Sequence, residues 1–348
     1  MRINFVGDIG LFQKFEKLNI DPFKEISLPD SDINISNFEF VIPQEKKKFF
    51  YDVQDKYSCS FNYLENLRID KFHGLGIANN HSVDYGFEGA MDTLGFLKNK
   101  GIVVFGYSKE PGYTIGKFQQ GEITLAIIAC VKKGRWSKDK VGFGPDTYNV
   151  EEICKTIGEL KKDNNHVVVY PHWGTELLEI PDFSDTQNAK IFIDAGASAV
   201  VGHHPHVSQG IEKYKNGIIA YSLGSFIFIP EEVLGHSEEK FNQEISICLN
   251  IEFSEQAIVN FLPVYYRYNK ETKIPQEVKS EDLNEYPKYL NDNIYNQKLY
   301  HTLVRKELLK REIYSIWQRF KSNPVKTVFN YARFIKFKHV LKLLPLKK

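Results

Sequence analysis

A chain of 348 residues, 42% of them hydrophobic with 26 Phe and 19 Tyr, has enough apolar mass to bury a large core, so it reads as an α/β body with an appendage. A formal net charge of +1 excludes a strongly basic nucleic-acid binder at the level of the whole chain. The four cysteines, Cys59, Cys130, Cys154 and Cys248, stand apart with no CxxC spacing, the pattern of a reduced intracellular chain and not of a disulfide framework.

The chain enters a strand at residues 3–6 with no basic n-region, apolar h-region or cleavage site ahead of it, so no signal peptide is expected. No run of about 18 apolar residues occurs, and no membrane span is expected. Short apolar runs bounded by Gly, Asn, Asp or Pro follow at 33–35, 74–78, 102–105, 123–131, 167–170, 199–201 and 218–221. Helical periodicity lies between them at 87–100 (Met91, Leu94, Leu97), 151–162 (Ile153, Ile157, Leu160) and 186–195 (Ala189, Phe192, Ile193). Buried β-branched strands alternating with helices of this length predict a largely parallel or mixed sheet. Segments 245–253 and 258–266 alternate and carry few helix signals, so they predict an added antiparallel pair. Residues 45–48 read as a solvated charged loop and 142–145 as a loop signal. The stretch Lys132-Lys133-Gly134-Arg135-Trp136 is a solvated turn or a contact for an anion.

Residues 1–268 form the expected domain and 269–298, polar and dotted with Pro275 and Pro287, a connector. A basic amphipathic helical tail occupies 299–348, with Leu303, Val304, Leu308, Ile313, Ile316, Trp317 and Phe320 on one face before Pro324. From His301 to Lys348 there are 13 Lys and Arg against two Glu; within an overall +1, this puts +11 on the tail and −10 on residues 1–300. Such a tail packs on the acidic body, lies on an anionic membrane face, or engages a membrane-bound biosynthetic complex. Flotation with anionic and neutral vesicles separates these alternatives, since no retention at low salt rules out the membrane. No nucleic-acid partner is expected, because the basic residues are not interleaved with a reading module.

Five strand ends share one design, a ligand-type side chain just past an apolar run. Asp8 follows Phe5-Val6-Gly7, and Glu39 follows residues 33–35 in Asn37-Phe38-Glu39. Asn79, Asn80 and His81 follow 75–78, His172 follows 167–170, and His204 and His206 follow 199–201 within Gly202-His203-His204-Pro205-His206. A single Asp after a strand is ordinarily a turn or cap residue, and a single His a hydrogen-bonded packing group. Parallel strands, however, bring their ends together, and carboxylate, amide and imidazole converging there predict a metal-binding or hydrolytic site.

These residues resemble the poly-gamma-glutamate capsule-synthesis CapA family, a branch similar to the calcineurin-type metallophosphoesterases. The resemblance runs over residues 2–230 and rests on six motifs in the family's order. They are Val6-Gly7-Asp8, Asn37-Phe38-Glu39, Ala78-Asn79-Asn80-His81-Ser82-Val83-Asp84-Tyr85-Gly86, His172-Trp173-Gly174-Thr175-Glu176, Gly202-His203-His204-Pro205-His206 and Tyr221-Ser222-Leu223-Gly224-Ser225-Phe226. It implies a four-layer metallophosphoesterase-like α/β sandwich, two mixed β-sheets flanked by helices, here with a C-terminal helical extension. It also implies one or two divalent ions, drawn from Mn, Zn, Fe and Mg. Asp8 and His206 are then ligands of a first ion, Glu39 bridges, and Asn80, His172 and His204 hold a second. His81 becomes the candidate general acid, with Asp84 orienting its ring. His203 stands either behind the ligands or facing substrate, and Trp173 walls the pocket.

Several departures from the phosphoesterase pattern matter. Gly10 stands where those enzymes usually carry a histidine, Glu39 replaces their bridging aspartate, and the Arg that helps hold phosphate has no counterpart near Glu39. Ser225 replaces the usual Asn of the last motif. The expectation is a metal-dependent hydrolase of an anionic small-molecule or polymer substrate in capsule, poly-gamma-glutamate or other cell-surface polymer production. The alternative is a non-catalytic metal-binding scaffold of a polymer synthesis or export complex, favoured by Gly10 and the missing Arg. The expected location is cytoplasmic, at the inner membrane face where the tail engages it.

Overall fold

The computed structural model describes residues 1–44, 58–132, 143–229, 244–279, 283, 300–306 and 309. The chain divides into two compact units, Met1–Tyr295 and Asn296–Lys348. In the second, residues 300–306 are helical; residues 307–308, the tail beyond 309, the charged stretch 45–48, residues 133–136 and Gly142 lie outside the described residues. Among the described residues, no helix is long and apolar enough to cross a membrane.

In the first unit the chain runs through β1 (Arg2–Ile9), α1 (Gln13–Lys17), β2 (Ile33–Phe38), α2 (Phe61–Glu65), β3 (Gly74–Gly76), α3 (Gly86–Asn99) and β4 (Val103–Phe105). After the short β5 (Tyr107–Ser108) come β6 (Gly116–Gln120), β7 (Ile123–Val131), β8 (Gly144–Pro145), α4 (Val150–Leu160), β9 (His166–His172) and α5 (Phe183–Asp194). The remainder is β10 (Ala199–Val201), β11 (Ile211–Tyr214), β12 (Gly217–Ala220), β13 (Ser225–Ile227), β14 (Ile245–Phe253), β15 (Ile258–Tyr268) and β16 (Pro275–Val278). One mixed sheet has the order β16-β15-β14-β1-β2-β3-β4, with β13 paired to the end of β1. The other has the order β11-β12-β10-β9-β7-β6. In the second sheet the central strands are parallel and the antiparallel strands lie at the edges; in the first, pairing is parallel from β1 to the β4 edge and antiparallel from β1 to the β16 edge.

Period-two alternation explains why two sheets stack. Ile3, Phe5, Ile33 and Ile35 of the first sheet meet Leu125, Ile127, Val168, Tyr170, Ala199 and Val201 of the second in one buried cluster. Their chain neighbours point the other way. Val6, Ile9 and Leu75 pack beneath Ala90, Leu94 and Leu97 of α3. Ala126, Ile128, Val167 and Val200 pack beneath Ile153 and Ile157 of α4 and Phe192 of α5. Helix, sheet, sheet and helix are therefore four layers, each seam stabilised by about 1.5–3 kcal/mol per fully buried aliphatic side chain. Strands apolar on both faces read as unbroken hydrophobic runs, which is why residues 123–131 and 167–170 were recognisable.

Two elements differ from expectation. Residues 275–278, read as connector, form β16, an edge strand that pairs on one side only with Tyr265–Tyr268 of β15. Its polar, proline-led sequence suits such an edge and hides it from a hydrophobicity reading. Helix α5 starts at Phe183, three residues before its apolar pattern does, because the Asp182 carbonyl already accepts from the Asp185 and Thr186 N–H groups (2.8 and 3.1 Å).

Candidate metal centre

Parallel strands of both sheets deliver their carboxyl ends to one place. Asp8 sits at a register irregularity of β1, where its N–H donates to the Gly224 carbonyl (2.9 Å). Gly7 permits that approach, since a Cβ there would stand 2.2 Å from the Gly224 oxygen. Glu39 follows β2 directly and is anchored by its N–H to the Ile9 carbonyl (2.9 Å). After β3 the chain folds into a tight turn. Asn79 Nδ2 donates to the Phe38 carbonyl (2.8 Å), Ser82 Oγ donates to the Ile77 carbonyl (2.6 Å), and the His81 N–H donates to Asn79 Oδ1 (3.1 Å). These bonds set Asn80 and His81 over the end of the sheet.

The second sheet supplies the imidazoles. His172 ends β9 and is bridged to His203, whose N–H donates to the Pro171 carbonyl (2.9 Å). Gly202 opens the histidine loop because nothing larger fits: a Cβ would lie 2.0 Å from the Tyr221 oxygen and 2.4 Å from Trp173 Nε1. His204 and His206 both hold positive φ, 96° and 57°, about Pro205. Each such conformation costs on the order of 1–3 kcal/mol and persists only where surrounding contacts impose it. Here the Leu177 N–H clamps the Pro205 carbonyl (2.6 Å).

The side chains converge in a buried cluster. Glu39, His204 and His206 each offer a ligand atom within 4.8 Å of the others. His206 Nε2 lies 3.3 Å from Glu39 Oε1 and His206 Nδ1 lies 3.4 Å from Asp8 Oδ2, so this ring stands between the two acids. His172 Nε2 is 2.7 Å from Asn80 Oδ1 and 3.8 Å from Glu39 Oε1, with its ring 4.6 Å from that of His204. Among the described residues, neither Glu39 oxygen has a hydrogen-bond donor of good geometry, although the side chain is wholly buried.

This electrostatic arrangement splits the two acids. Burial, reinforced by Asp8, raises the Glu39 pKa even against His206. For Asp8 burial acts in the same sense, yet hydrogen bonds from His203 and His206 outweigh it and hold the carboxyl well below its usual range. Burial and then the neighbouring His204 push His172 well below the ordinary imidazole value, keeping it neutral. For His206 burial works against charge, but Glu39 and Asp8 overcome it and raise its pKa well above normal.

Beside the cluster, His81 Nδ1 lies 2.7 Å from Asp84 Oδ2, and the His81 ring packs 4.5 Å from Phe40. Phe40 and Phe228 also fill the space at Gly10, where a Cβ would meet them at 2.5 and 2.8 Å; no side chain fits that position with the rings as placed. Ser225 Oγ is 3.2 Å from His206 Nδ1. Trp173, expected as a pocket wall, is instead buried beneath the site, with Nε1 donating to the Tyr221 carbonyl (2.9 Å). Asn37 was not singled out by the sequence reading; its Nδ2 donates to Asp8 Oδ1 (2.8 Å). Its place in the Asn37-Phe38-Glu39 motif was visible, but which way its amide turns was not.

Residues 2–229 match the family model described as "Bacterial capsule synthesis protein PGA_cap". This chain belongs to that family. The matched span holds every one of the converging side chains and ends before β14. Two relatives are similar over a comparable length of the chain. The "PGA biosynthesis protein CapA" of Bacillus subtilis (strain 168) is 34% identical over 237 residues, 65% of this chain and 62% of that protein. The "Capsule biosynthesis protein CapA" of Bacillus anthracis is 32% identical over 223 residues, 59% of this chain and 53% of the relative. The matched regions thus span little more than half the length of these relatives. A solved structure described as a novel phosphatase from Mycoplasma pneumoniae superposes on 81% of this chain and 96% of its own, with a TM-score of 0.45 and 13% identity. In this chain the first sheet contributes the acids, the amides and His81, and the second the other imidazoles, so the site straddles the seam between them.

Proposed function

We propose that this protein is a metal-dependent hydrolase of a phosphate ester or related anionic linkage, acting in the production of poly-gamma-glutamate or another cell-surface polymer. The observation that carries the reading is Glu39, a fully buried carboxylate with no good hydrogen-bond donor among the described residues, aimed among His204, His206 and His172. A buried acid left in this way is costly unless a cation completes it, and oxygen with neutral imidazole nitrogen suits Mn²⁺, Zn²⁺ or Fe²⁺. The residues present therefore fit a divalent cation. Asp8, Glu39, Asn80, His172, His204 and His206 are the proposed ligands of one or two ions. When bound, such an ion polarises a phosphoryl oxygen and lowers the pKa of water.

The chain's own residues supply the proton. Asp84 accepts from His81 Nδ1–H at 2.7 Å, which fixes the ring and leaves Nε2 to protonate the departing oxygen. The half-open position of His81, its side chain 23% exposed, gives a leaving group access to it. A second reading, a metal-binding scaffold without turnover, is favoured by Gly10, whose surroundings exclude an additional imidazole. Elemental analysis of the purified chain, joined to a generic phosphodiester assay with Mn²⁺, Zn²⁺ or Mg²⁺, decides between them. Turnover that His81→Ala abolishes while bound metal persists is the expected result. Bound metal with no turnover favours the scaffold, and no bound metal removes both.

A further inference from the structure

The two oxygens of Asp8 keep different company. Oδ1 accepts from Asn37 Nδ2 at 2.8 Å and from His203 Nδ1 at 3.0 Å. Oδ2 lies 3.4 Å from His206 Nδ1 and 3.4 Å from the His204 backbone nitrogen, on the side of the converging ligands. Since a carboxylate only accepts, Nδ1 of His203 carries the proton.

His203 is as buried as any core residue, 1% exposed, and its ring lies 4.2 Å from that of Tyr170. Its other nitrogen, Nε2, is buried with no hydrogen-bond partner among the described residues. Phenylalanine or leucine would fill this volume without stranding a polar atom, so packing alone does not account for an imidazole here. What the imidazole supplies is the bond at Nδ1.

We infer that His203 is a positioning residue for Asp8. Together with Asn37 it occupies Oδ1, stops the carboxylate from turning, and leaves Oδ2 as the one oxygen presented to a divalent cation. A carboxylate held by neither donor has a broad, two-fold χ2 profile and presents its oxygens interchangeably. The inference rests on the reading that the centre binds such a cation, and it assigns no ligand or proton-transfer role to His203 itself.

The test is calorimetric titration of Mn²⁺ into the metal-stripped full-length chain, comparing wild type with His203→Asn, His203→Phe and His204→Ala. An asparagine amide nitrogen reaches the position of Nδ1, whereas phenylalanine keeps the packing on Tyr170 and removes the donor. The expected result is that His203→Phe weakens Mn²⁺ binding by about 10–100-fold, the usual effect of losing a partner behind a ligand, while His203→Asn stays close to wild type. Should the phenyl ring prevent folding, His203→Leu takes its place in the same comparison. Equal weakening in the donor-bearing and donor-less variants overturns the inference, as does unchanged binding in both. Those outcomes leave the metal reading intact if His204→Ala loses binding. A wild-type chain that binds no Mn²⁺ removes that reading, and the inference with it.

Discussion

Glu39→Gln separates a residue kept for a cation from one kept for the fold. Its carboxylate is fully buried, lies 3.3 Å from His206 Nε2, and has no good hydrogen-bond donor among the described residues. Its pKa is raised, so the folded state disfavours the ionised form, and this penalty acts above the carboxyl's ordinary value of 4.5. Glutamine removes the charge at nearly constant volume. In EDTA at pH 7.5 the variant is therefore expected to melt at or above the wild-type temperature. Were the Glu39–His206 contact a stabilising ion pair, breaking it would instead cost about 3–5 kcal/mol. With Mn²⁺ at about 100 times its dissociation constant, wild type gains about 2.7 kcal/mol by mass action. That corresponds to a rise of roughly 4 °C for a chain of this size, and Glu39→Gln gains none of it. Thermal melts followed by circular dichroism with and without Mn²⁺ read both effects. A variant that melts well below wild type in EDTA, or gains the same Mn²⁺ increment, would refute the argument.

Two further predictions concern the scaffold around the site. Gly202→Ala forces a methyl group against the Tyr221 carbonyl and Trp173 Nε1. Its expected cost is about 1–3 kcal/mol of overpacking, plus about 1 kcal/mol for the Trp173–Tyr221 hydrogen bond, read as a lower urea midpoint at unchanged slope. An unchanged midpoint contradicts the close approach. His166 lies far along β9 from the centre, its Nδ1 2.8 Å from Ser198 Oγ and its Nε2 2.6 Å from the Ser254 carbonyl. Burial lowers its pKa below 6.5, so its contribution to stability is present above that value and is lost as pH falls through it. His166→Gln should flatten the decline in melting temperature between pH 7 and 5.5, and an identical decline in the variant excludes this residue as its source.

The fold was legible where burial acts on both faces of a strand. Residues 125–131 and 199–201 are apolar throughout because core lies above and below them. Polar edge strands were not legible. Lys117, Gln119 and Gln120 of β6 and Gln276 and Glu277 of β16 face solvent, and their pairing is a matter of backbone bonds that no side chain announces. Periodicity also misplaced Met91, which lies on the expected apolar row of α3 yet is 44% exposed. The site was legible because strand ends place side chains by topology, so ligand-type residues after apolar runs mark a shared rim. Finer assignments depend on torsions. The direction of the Asn37 amide, the burial of His203 against Tyr170, and the two phenyl rings against Gly10 are set by packing between segments far apart in the chain.

That the donors are divided between the two sheets has a bearing on assembly. Asp8, Glu39 and Asn80 ride on one half of the sandwich, and His172, His204 and His206 on the other. Neither half alone presents the full set of proposed ligands, so an ion that needs them all would be captured only after the halves have docked. An ion seated there would rivet the halves together, and loading would report that the body had finished folding.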